Sequence, residues 1–225
     1  MMIERLRESL RFWWQNLPAI ALVVIPFSLL TSLSGVLAGP PLNTPENAPA
    51  SINALSLTLI FLIRTLAEAA LIGQLAAILS GRPRDLLACL LFALTVAPAM
   101  LLCNLIVLAG VSLATMLFIL PGAWLYVRLS FAAFAVALER MSPMDALRSS
   151  MARTVNIQWE LLAGWLMLLL AVLLISNLVG AVLISVAGQH TGVSIVLDLI
   201  TALGSALMLV LLFRYYDLNR PAEPN

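Results

Sequence analysis

From Leu86 to Leu138 the chain stays apolar, and Arg128 is the only charged side chain in that stretch. The run is about fifty residues long, more than twice the ~20 that a helix needs to cross a bilayer. A single crossing cannot absorb it, so it holds two. The turn is expected near Ala109-Gly110, with spans of 86–108 and 111–138. Pro98 and the Pro121-Gly122 pair are expected to bend these spans. The remainder of the chain is similar in kind: 62% of its residues are apolar and 10% are charged, against roughly a quarter charged in ordinary soluble domains. Water is therefore not the solvent for most of this surface.

The same reasoning places four further spans, at 17–38, 52–79, 159–187 and 194–213, inside a membrane domain covering 17–216. The fold class is thus all-α: a polytopic membrane protein with six transmembrane helices and two amphipathic surface helices. The first of these surface helices is 1–16, where Ile3, Leu6, Leu10, Trp13 and Leu17 recur at three- and four-residue intervals. Trp13 and Trp14 suit the headgroup level. The second is 142–158. Ser142 is an N-cap, Pro143 takes the first helical position and Asp145 follows three residues after the cap. Its apolar face reads as Met144, Leu147, Met151 and Val155. The tail, 217–225, is short and contains proline.

Arginine supplies all twelve basic residues. With six spans, ten of the twelve fall on one side, and the opposite loops (39–51, the short turn near 109–111, and 188–193) hold none. The positive-inside rule then puts both termini in the cytoplasm. A net charge of +1 lacks the clustered basic face that nucleic-acid binding requires. Cys89 and Cys103 sit about 20 Å apart on one helix and cannot bond to each other. The single histidine, His190, has no ligand partners close in sequence. No catalytic, cofactor-binding or metal-binding constellation is legible, so the expectation is a non-enzymatic protein without cofactors.

Four ionisable side chains fall within spans: Arg64, Glu68, Arg128 and Asp198. Each costs roughly 2.5–3.5 kcal/mol at a helix centre on insertion scales and so needs a partner or a wet cavity. Asp198 lies close to one end of its span. Arg64, Glu68 and Arg128 form the candidate intramembrane polar site, and three readings are open. They could form an ionic clamp between the second and fourth spans. They could hold an anionic phospholipid, because two arginines and one glutamate leave one positive charge over. They could relay protons through Glu68, although a carboxylate beside arginine tends to stay ionised. Asn104, Asn177 and Gln74 suit hydrogen bonds between helices.

The Pro121-Gly122 break, the Glu139-Arg140 pair, Leu147-Arg148-Ser149-Ser150-Met151 and the closing LVLLFRYYDLNR (209–220) together resemble the YciC-type family of bacterial inner-membrane proteins. A looser likeness extends to the membrane domain attached to some glycerophosphodiester phosphodiesterases. The resemblance implies six spans in a bacterial inner membrane and no particular activity. Two functions are compatible with these readings. One is support of envelope integrity or scaffolding of other inner-membrane proteins, or of copies of itself, through 142–158. The other is a small lipid- or solute-handling transporter built on Arg64, Glu68 and Arg128.

Overall fold

A computed structural model of the chain describes residues 2–43, 51–188 and 191–219. His190, most of the 39–51 loop, Arg220 and the end of the tail lie outside the described residues. Within them are nine helical segments: α1 (Met2–Gln15), α2 (Leu17–Ala38), α3 (Ala54–Leu79), α4 (Leu86–Leu117), α5 (Ile119–Leu129), α6 (Phe131–Glu139), α7 (Pro143–Thr154), α8 (Gln158–Ala187) and α9 (Thr191–Leu218). Among the described residues the only strands are a two-residue antiparallel pair, β1 (Leu42–Asn43) with β2 (Ser51–Ile52). Six segments are long and apolar enough to cross a membrane, with α5 and α6 together forming the fourth. The chain is an integral membrane protein of all-α, polytopic type.

The spans close into a ring. α2 packs on α3, α3 on α4, α4 on α5, α5 on α8, α8 on α9, and α9 returns to α2. Inside the ring, α6 packs against α3, α4 and α9. Phe131 to Ala137 of α6 are all buried. The alanines at 132, 133, 135 and 137 give α6 the slim profile that lets neighbouring backbones come close. α7 and α1 cover the end of the bundle where the arginines collect.

The turn between the third and fourth spans is not at Ala109-Gly110. α4 continues through Gly110 to Leu117, and Phe118 makes the turn in extended conformation (φ −158°, ψ 152°). Proline explains the displacement. In an unbroken helix Pro121 would owe a hydrogen bond to the Leu117 carbonyl, and it has no N–H to give. Restarting the helix at Ile119 moves Pro121 into the first turn, where no such bond is needed. Glycine has a part here too: a Cβ at Gly122 would overlap Thr115 Oγ1 of α4. The Pro-Gly pair therefore sits in the first turn of α5, directly after the turn at Phe118, and does not bend the middle of a span.

The segment 142–158 also differs from expectation. Its helix is shorter, Pro143–Thr154, and the Ser142 cap accepts from the Asp145 N–H at 3.3 Å. The buried side chains are Ala146, Leu147, Ser150 and Thr154, whereas Met144, Met151 and Val155 of the expected apolar face are exposed. α7 is a bundle helix, turned back onto α6, α5 and α4. Arg140 makes that reversal by adopting a left-handed φ of 58°. In α1 likewise, Leu6 and Ser9 are buried while Ile3 and Leu10 of the expected stripe are exposed.

Candidate functional site

The break in the fourth span governs what surrounds it. Between α5 and α6 the helix is interrupted at Ser130, and backbone groups freed there must find partners, because hydrocarbon supplies none. α7 supplies them. Ser150 Oγ accepts from the Phe131 N–H at 3.1 Å and donates to the Arg128 carbonyl at 2.7 Å. Thr154 Oγ1 also donates to the Arg128 carbonyl, at 3.3 Å.

Beside this break lies a cleft of about 330 Å³, bordered by α3, α4, the α5–α6 junction and α9. Glu68 is half-buried in it and accepts from Asn104 Nδ2 at 2.7 Å. Thr65 Oγ1, at 3.5 Å, is a weaker second acceptor for the same amide. Arg64 lines the same cleft, one helical turn from Glu68. Among the described residues Arg64 makes no hydrogen bond or ion pair. The two side chains lie about 15 and 21 Å along α3 from Ala54, at 1.5 Å per residue, which is close to mid-depth in a ~30 Å hydrocarbon layer. Ala133 of α6 borders the cleft.

Arg128 is not part of this site, and the expected clamp does not form. Tyr126 and Ser130 both line the cleft. They are four residues apart and share a helix face, so Arg128, two residues from each, points the other way. Its guanidinium donates to Gln158 Oε1 at 2.9 Å and lies 5.5 Å from the centre of the Trp124 ring. Asp198 is also accounted for, accepting from Ser32 Oγ of α2 at 2.7 Å.

The ion pair that does form in the interior uses residues whose sequence context marks them as interfacial or exposed. Arg153 of α7 donates twice to Glu139 at the end of α6, at 2.7 and 2.8 Å, and both side chains are only about an eighth exposed. Hydrogen bonding to Glu139 pushes the Arg153 pKa above its ordinary value, so this cation does not titrate in any physiological range. Tyr216 of α9 also donates to Glu139, and its ring stacks on Phe134 at 5.2 Å. Breaking a buried pair of this kind typically costs 3–5 kcal/mol. It locks α6, α7 and α9 together.

Asn104 does bridge two helices, and so does Gln74. The Gln74 Oε1 accepts from the Arg84 N–H at 2.9 Å and from Cys89 Sγ at 3.2 Å, fixing the turn between α3 and α4. Asn177 instead donates to the Leu173 carbonyl of its own helix. Among the described residues no cluster of histidine, cysteine and carboxylate side chains has the makings of a metal site.

Comparison of the chain with protein-family models, with curated proteins and with solved structures finds no match in any of the three.

Proposed function

We propose that this protein is a non-enzymatic membrane component that takes up a lipid or small solute bearing an anionic group in the Arg64–Glu68 cleft. The observation that carries the reading is Arg64, a guanidinium at mid-depth without a partner among the described residues, opening into the same cavity as a carboxylate. An unpaired charge in a span is costly, and a bound anion would offset that cost. An interrupted span beside a polar cavity is also the arrangement in which transporters build their sites. Location in a bacterial inner membrane and cytoplasmic termini belong to the same proposal; the first rests on the resemblance to the YciC-type family and the second on the arginine distribution.

Native mass spectrometry of protein extracted directly from membranes tests this, comparing wild type with Arg64→Leu and Arg128→Leu. A bound molecule is expected in wild type and in Arg128→Leu, and is expected to be lost from Arg64→Leu. A wild type that carries nothing, or an Arg64→Leu variant that carries as much, overturns the proposal. The scaffolding reading would then lead, resting on the exposed Met144, Met151 and Val155 of α7.

A further inference from the structure

α1 presents a second surface, remote from the cleft. With Leu6 and Ser9 buried in the bundle, Ile3, Leu10 and Trp14 are left 73%, 45% and 70% exposed. Arg7 and Arg11 stand among them, one turn apart, which puts their Cβ atoms about 6 Å from each other. All five border a groove of about 800 Å³, which Met167 of α8 lines from the other side. No acidic residue borders that groove among the described residues. Arg7 and Arg11 have no hydrogen bond or ion pair among the described residues, and Glu8 is turned instead to Arg214 at 3.8 Å.

Water alone would leave the indole and aliphatic side chains wet, and acyl chains alone would leave two guanidiniums without counter-charge. An anion with a hydrocarbon tail meets both demands. We infer that this groove binds one anionic phospholipid of the surrounding bilayer. Arg7 and Arg11 bridge its phosphate, and an acyl chain runs past Leu10 and Trp14 towards Met167. The planar guanidinium fork matches phosphate oxygens, and an indole is at home at the headgroup level. Met167 lies about 14 Å along α8 from Gln158, so the groove runs down into the hydrocarbon. The site shares no residue with the Glu68 cleft and does not depend on it.

The test is a titration of the purified full-length protein in detergent with phosphatidylglycerol or phosphatidylcholine, read by native mass spectrometry. Wild type is expected to hold one phosphatidylglycerol in preference to phosphatidylcholine. Arg7→Gln/Arg11→Gln is expected to weaken that binding about 30-fold, given the usual contribution of each arginine near an anionic surface. Arg82→Gln/Arg148→Gln removes the same charge from other connections at the same end, and is expected to leave binding intact. Equal affinity for the two lipids, undiminished binding in the first variant, or equal loss in both variants each overturns the inference.

Discussion

One hydroxyl, that of Ser150, joins the two sides of the break in the fourth span, accepting from Phe131 and donating to Arg128. A buried N–H that loses its acceptor costs about 1–3 kcal/mol. Ser150→Ala is therefore expected to destabilise the detergent-solubilised protein by a free energy in that range, read as a lower thermal unfolding midpoint. An unchanged midpoint would mean that the break needs no help from α7. The residues at the candidate site differ in how far sequence reveals them. Arg64 and Glu68 were visible because a charge in an apolar run needs an explanation, and the structure puts both in one cleft. Arg128 stood out for the same reason yet faces away from that cleft. The two-residue offset from Tyr126 and Ser130 encodes this orientation, but only once the cleft is known to face those two. Arg153 and Glu139 do not stand out in the sequence because a charged residue next to a polar connection looks solvated. No local pattern announces that the connection folds back onto α6, α5 and α4.

Among elements, α2 is legible to the residue, since Pro18 and Gly39 bracket a run without a charged side chain. Its structural bounds are Leu17–Ala38. The third and fourth spans were legible as a pair but not at their junction. Gly110 is tolerated in a helix at a cost of about 1 kcal/mol, whereas Pro121 inside a continuous helix would cost about 3 kcal/mol, a cost that α2 and α4 carry at Pro26 and Pro98 and that the turn at Phe118 avoids. The stronger breaker decides the turn. α7 shows the limit of amphipathic reading. Its start was plain from Ser142, Pro143 and Asp145, but its buried face is mostly small and hydroxylated, a pattern that hydrophobicity alone ranks below Met144 and Met151. Cysteine labelling separates the two views of α7. A polar maleimide is expected to react readily with Met144→Cys and to leave Ala146→Cys untouched until the protein is denatured. Equal labelling would return α7 to the membrane surface.

At the scale of the whole molecule, α5 and the five other spans form a ring around α6, the second half of the fourth span, and the covering helices sit at the arginine-rich end. The charge asymmetry predicts that this end faces the cytoplasm. In intact cells an impermeant thiol reagent is expected to reach Leu42→Cys, and to reach Arg82→Cys and Arg148→Cys only after permeabilisation. The reverse pattern would invert the topology. The opposite end is unusual at one point, the turn around Phe118. Met116, Leu117, Phe118, Ile119 and Leu120 are all largely exposed, and none has a charged or hydrogen-bonding side chain. During biosynthesis, most helical hairpins must drag a hydrophilic loop through the hydrocarbon before they can settle. Here the nascent chain has no such cargo between its third and fourth crossings. The pair can sink into the bilayer already folded back on itself, tip first.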